Sequence, residues 1–156
     1  MVLSSTPQDL AGLLERFPHQ LFRRQALKGK WTPNQILGHL TDVEWIFGYR
    51  LRTILADQTP LLQGADQEKW VEAQGWNGRS PDQLIESFGA MRRINLDFWN
   101  GLSQDDFAKA GRHAEADVLL SIGLLQRILA GHDLSHLDQL NRYLGASSAA
   151  AAAGRM

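Results

Sequence analysis

Apolar residues recur every three or four positions over four stretches of this chain, the spacing that lines one face of an α-helix. The first stretch, 7–17, carries Leu10, Leu13, Leu14 and Phe17, and Pro18 interrupts it. The second, 33–55, carries Ile36, Leu37, Leu40, Val43, Phe47, Leu51 and Ile54. The third, 81–100, carries Leu84, Ile85, Phe88, Met91, Ile94 or Asn95, and Phe98, and stops at Gly101. The fourth, 117–144, is about 42 Å long at ~1.5 Å per residue and ends at Gly145. Shorter helical pieces are expected at 19–27 and at 66–74, the second with Trp70 on it. No stretch alternates apolar and polar residues as a half-buried strand does, and no solenoid repeat is present.

Three of these helices are announced by one device. Thr6-Pro7-Gln8-Asp9, Thr32-Pro33-Asn34-Gln35 and Ser80-Pro81-Asp82-Gln83 each place a hydroxyl, then proline, then a polar side chain three residues on. The hydroxyl can cap free N–H groups, proline suits the first helical position, and the third residue reaches back. Trp31, just before Thr32, can serve as a hydrophobic staple. Four main helices predict an all-α four-helix bundle. The link over 57–80 is long enough to cross the bundle, so a crossover rather than a hairpin is expected between the second and third helices. Residues 1–145 read as one bundle domain, and 146–156 as an Ala- and Ser-rich flexible tail.

Composition narrows the function classes. With 156 residues the chain can bury a sizeable core in one domain. A formal charge of −1 and a pI near 6.5 argue against a nucleic-acid surface. The absence of cysteine excludes disulfides, thiolate metal ligands and a cysteine nucleophile. No apolar run reaches a membrane span, and the first residues lack a signal peptide's pattern, so a cytoplasmic protein with no membrane partner is expected.

The candidate chemistry lies in Ala130-Gly131-His132-Asp133-Leu134-Ser135-His136-Leu137. His132 and His136 are four apart and sit one above the other on a helix. They fall on the apolar stripe Leu125, Ile128 or Leu129, His132, His136, Leu140, Tyr143, so both are expected to face the core. His39 lies on the matching stripe Ile36, His39, Val43, Ile46 or Phe47 of an earlier helix. Two imidazoles buried together must each find partners, and a proton on either is costly. A metal takes the lone pairs and leaves each N–H for another acceptor. Three neutral imidazoles suit zinc, nickel, iron or copper, and three ligands with an open position are the catalytic zinc pattern.

Other polar residues carry weaker signals. Asp42, three after His39, can lie behind it or on a solvated flank; Gln139, three after His136, can line the pocket. Glu44, Asp133 and Ser135 lie near the histidines in sequence, whereas His19 and His113 read as surface residues. His132-Asp133-Leu134-Ser135-His136 is one residue away from the His-Glu-x-x-His of zinc proteases. The shorter aspartate and the lack of a further ligand after His136 argue against that chemistry.

The chain resembles the DinB-like (damage-inducible) superfamily of four-helix-bundle metal-dependent enzymes. The resemblance rests on Gly29-Lys30-Trp31-Thr32-Pro33 leading into Ile36-Leu37-Gly38-His39-Leu40 and Glu44, and on Arg50-Leu51-Arg52 with Ile54-Leu55. Pro60, the pair Asp66 and Trp70, and His132-Asp133-Leu134-Ser135-His136-Leu137-Asp138-Gln139 complete it. It implies that His39, His132 and His136 are the metal ligands, usually for nickel or zinc. Some relatives replace one histidine by glutamate; this chain keeps all three. It also implies either a hydrolase-like enzyme or a transferase that uses a low-molecular-weight thiol as cosubstrate, acting on a small-molecule substrate. Several relatives are dimeric, which makes a homodimer an expected assembly. The alternative is a non-catalytic metal- or ligand-binding bundle.

Overall fold

The computed structural model describes residues 2–153. Five helices run over α1 (Val2–Arg16), α2 (Pro33–Ala56), α3 (Gln67–Gln74), α4 (Pro81–Asn100) and α5 (Ile122–Ala153). Three short strands, β1 (Leu61–Leu62), β2 (Ala110–His113) and β3 (Leu119–Ser121), form a small sheet in the order β1-β2-β3. β1 pairs parallel and β3 antiparallel to β2. No helix among the described residues is long and apolar enough to cross a membrane.

The four long helices form a bundle in which α1 and α2 each pack on both α4 and α5. Cross-links fix the directions. Asn34 Nδ2 donates to the Arg79 carbonyl at one end of α2 and α4, and Glu44 pairs with Arg92 further along both. α2 and α4 are therefore parallel neighbours, which no tight turn can join. The link over 57–80, with β1 and α3 in it, returns the chain along the bundle, as expected from its length. α1 runs antiparallel to α4, with Pro7 near Gly89, and parallel to α5, with Thr6 on Asp133 and Arg16 on Asn141.

Two of the three expected caps form. Thr32 and Ser80 each accept from the backbone N–H three residues on, and Gln35 and Gln83 reach back, so both are capping boxes. The first does not. α1 starts at Val2, and Thr6-Pro7 lies inside it. Proline at position 7 removes the N–H that would bond the Leu3 carbonyl. Arg92 Nη1 donates to that carbonyl at 2.8 Å instead, so the helix continues through the proline. Asp66 caps α3, and Gly75, at φ +60°, ends it.

Three further expectations are corrected. The piece at 19–27 is a 3-10 helix over His19–Arg23 only. The last helix begins at Ile122, after strands β2 and β3, not at 117. These strands have two to four residues, too few for alternation to register. α5 also runs past Gly145 to Ala153, where alanine supplies high helix propensity and Ser147 is buried. Residues 154–156 of the expected tail lie outside the described residues.

The apolar core has two parts. One gathers Leu10, Leu13, Phe22, Ile36, Leu37, Leu40, Phe88, Leu140 and Leu144. The other gathers Val43, Leu51, Ile54, Leu62, Trp99, Ile122, Leu125 and Leu129. Trp76 belongs to the first part and lies flat against α2 at Gly38, where a Cβ would stand 2.3 Å from the indole carbons. Gly38→Ala is therefore expected to displace Trp76 and to destabilise the fold by about 1–3 kcal/mol. Urea denaturation measures it, and a change below about 0.5 kcal/mol would contradict the close packing.

Candidate metal centre

α2 and α5 run antiparallel side by side and bring His39 against His132 and His136. The ligand-capable atoms of the three rings lie within 4.8 Å of one another. His39 Nε2 stands 3.0 Å from His132 Nε2, and His136 Nε2 stands 3.1 Å from the same atom. Two nitrogens on one tetrahedral zinc are separated by roughly 3.3 Å, given Zn–N distances of about 2.0–2.1 Å. The donor set thus has the spacing of a three-histidine cation site.

Proton counting shows why the cluster is unsatisfied by itself. A neutral imidazole carries one N–H, so three rings cannot saturate two Nε2–Nε2 contacts and their outer nitrogens together. Gln139 Oε1 accepts from His136 Nδ1 at 2.8 Å, and its own Nε2 donates to the Tyr143 hydroxyl at 3.1 Å. That arrangement puts the His136 proton on Nδ1 and turns the Nε2 lone pair toward the other two rings. Nδ1 of His39 and of His132 is buried without a partner. A divalent cation accepting all three Nε2 lone pairs would resolve the Nε2–Nε2 contacts and leave each ring's proton on Nδ1, where His136 has Gln139 as its acceptor, so the residues present fit such an ion.

Electrostatics favours the neutral, ligating form. Burial, and secondarily the charge of His136, pushes the His39 pKa down from 6.5 to about 4. Burial, then His136, His39 and Arg92, pushes that of His132 down to about 3. Burial also lowers His136, against the hydrogen bond it donates to Gln139 and the charge of Asp133. The unfolded chain takes up these protons near 6.5, whereas the folded chain resists them until about pH 4. Stability of the metal-free protein is therefore full above about pH 6.5 and is lost as pH falls toward 4. Melting chelated protein across that range is expected to lower the Tm by roughly 5 °C or more. A flat profile would mean that the rings are protonated without cost.

Directly behind the histidines lies a buried ion cluster that joins four helices. Arg92 of α4 reaches Glu44 of α2 at 2.7 Å and Asp133 of α5 at 2.7 Å, with all three side chains at most 1 % exposed. Asn95 Nδ2 donates to Glu44 Oε2 at 2.9 Å, and Thr6 of α1 donates to Asp133 Oδ2 at 2.7 Å. Burial alone would lower the Arg92 pKa; hydrogen bonds and charge from Asp133 and Glu44 more than offset it and hold it above its ordinary value. This layer separates the two parts of the apolar core and backs the turn of α5 that carries His132.

The model of the DinB superfamily matches residues 3–140, nearly the whole chain. The chain belongs to the DinB superfamily. Two relatives carry the name "Putative metal-dependent hydrolase". One, from Oceanobacillus iheyensis, is 26 % identical over 113 residues, which are 72 % of this chain and 64 % of that protein. The other, YfiT of Bacillus subtilis, is 19 % identical over 147 residues, 92 % of this chain and 83 % of that protein. The solved structure of YfiT, described as a probable metal-dependent hydrolase with an unusual four-helix bundle topology, superposes with a TM-score of 0.79. At 20 % identity over 92 % of this chain and 84 % of that one, the likeness is one of fold.

Within this DinB fold some of the other polar residues lie where expected, as Gln139 and His19 do, and others do not. Asp42 does not back His39; Gln74 of α3 holds its carboxylate at 2.9 and 3.0 Å, and burial raises its pKa. Trp31 does more than staple α2. Its ring lies 4.8 Å from that of His39, and its Nε1 donates to Glu68 of α3 at 3.0 Å, tying α3 to the wall of the site. Glu44 and Asp133 lie in the buried cluster, while Ser135 is exposed. His19 meets Asp82 at the surface. His113, expected at the surface, is half-buried in β2 beside Arg50.

Proposed function

We propose that this chain is a metal-dependent hydrolase of a small molecule, with His39, His132 and His136 holding one divalent transition ion, nickel or zinc. The observation that carries this reading is the convergence of three Nε2 atoms, 3.0 and 3.1 Å apart, from rings that burial keeps neutral. The relatives' names point the same way. An ion held by three imidazoles keeps an open position, acts as a Lewis acid and lowers the pKa of water to about 7.

The chain's own residues do the rest. Gln139 fixes the orientation and the tautomer of His136. Trp31 packs its ring, tilted by 53°, against that of His39. The Arg92 cluster contributes two buried carboxylates and one guanidinium, a net charge of −1, next to the ligand helix. That charge favours a cation at the site; it also favours protonated histidines, and burial is what keeps the rings neutral. A thiol as cosubstrate gains no separate support from the residues around the site.

The test is hydrolysis of an ester, amide and phosphoester panel by untagged protein as purified, after chelation, and after reloading with zinc or nickel. Turnover that disappears on chelation and returns with about one equivalent of metal is expected. Stoichiometric metal with no turnover across the panel would make the bundle a binding protein instead.

A further inference from the structure

Between about two and three turns beyond His39 on α2, roughly 9–16 Å along the axis, a second feature opens on the outer side of the bundle. A cavity of about 310 Å³ is lined by Trp45, Ile46, Tyr49 and Arg50 of α2, by Trp70 of α3 and by the backbone of 63–65. None of these residues belongs to the metal centre. Trp45, Tyr49 and Trp70 are 61 %, 58 % and 38 % exposed, unusual for large aromatics grouped around one hollow.

The one charged lining group is poorly compensated. Arg50 is 8 % exposed, and its Nε is buried with no hydrogen-bond partner. Its Nη2 meets the Gln63 carbonyl at 2.9 Å and His113 Nε2 at 3.2 Å, both uncharged contacts when the imidazole is neutral. No carboxylate among the described residues forms an ion pair with it. Glu115, whose carboxylate packs against Gly64, acts on it only at longer range. A buried cation without a counter-ion is costly, and an anion brought by a ligand relieves that cost.

We propose that this cavity is a binding site for a small aryl carboxylate, its ring between Trp45, Tyr49 and Trp70 and its carboxylate on the guanidinium of Arg50. The volume lies at the low end of the roughly 300–1,000 Å³ of small-molecule sites, which suits a single ring. A single guanidinium with Glu115 nearby suits one negative charge rather than the two of a phosphate monoester.

The test uses phenylacetate, phenylacetamide and acetate as probes, followed by tryptophan fluorescence and calorimetry. Phenylacetate is expected to saturate with a Kd at least about tenfold below those of the amide and of acetate. Arg50→Gln is expected to abolish the difference between acid and amide, and Trp45→Leu, an exposed change that spares folding, to weaken both. Affinity is expected to be the same as purified, after chelation and in His132→Ala. Loss of binding on chelation or in His132→Ala would place the carboxylate on a metal and overturn the site. Equal affinity for acid and amide would remove the role of Arg50. No saturation at millimolar probe would overturn the proposal outright, and sedimentation showing a dimer whose dissociation restores binding would assign the aromatic face to a second copy. Should Arg50→Gln not fold, the acid-to-amide ratio of the wild type and the Trp45→Leu result decide the matter.

Discussion

Arg92→Ala is expected to destabilise the protein by about 4 kcal/mol, the largest effect of any single side-chain truncation outside the apolar core. The arginine is 1 % exposed and is the partner of two carboxylates that are fully buried. Its removal leaves Glu44 and Asp133 facing each other without a cation, and it also orphans the Leu3 carbonyl, which Pro7 cannot satisfy. Removing one partner of a buried ion pair typically costs about 3–5 kcal/mol, more than the pair contributes over an apolar replacement. For a chain of this size the Tm falls by roughly 10 °C. Thermal and urea unfolding measure it, with Arg92→Met as a control that keeps volume. A loss below about 1 kcal/mol would show that the carboxylates find other partners or take up protons.

His132→Ala is expected to abolish metal binding while leaving the bundle folded. His132 Nε2 is the central atom of the cluster, in contact with both other rings, so its loss leaves two donors from different helices. An ion that binds only the folded state stabilises it by about 4 kcal/mol when present at a thousandfold above Kd. The wild type then melts roughly 10 °C higher with zinc or nickel than after chelation, and the variant shows no such difference. Elemental analysis gives the stoichiometry beside it. Full metal occupancy in both His132→Ala and His136→Ala would remove the histidines from the site.

How much of this was legible in the sequence follows from the range of each interaction. Helical periodicity is local, so the long helices and the inward direction of His39, His132 and His136 could be read from spacing alone. Capping is local too, and Thr32 and Ser80 behave as their sequences suggest. Thr6-Pro7 carries the same local signature, yet its hydroxyl is drawn to Asp133 and the neighbouring carbonyl to Arg92, partners far away in the chain. Tertiary contact overrides the cap there.

The buried charges were not legible for the same reason. A glutamate, an arginine and an aspartate on three separate helices each read as a solvated position until the bundle places them together. The signal that existed was faint: Asp133 falls at the centre of an apolar run, and Glu44 lies five residues after His39. The cavity beside Arg50 likewise needs α3, the 63–65 backbone and the outer side of α2 in one place.

By itself the sequence determined the helical class, the length of the crossover and the three candidate ligands, because each depends on spacing within one or two turns. The tertiary structure alone decided that α2 and α4 run parallel, that a three-stranded sheet closes one end, and that Arg92 neutralises one of two buried carboxylates beneath the histidines. Those outcomes depend on which faces meet across the bundle, and no local pattern encodes that meeting.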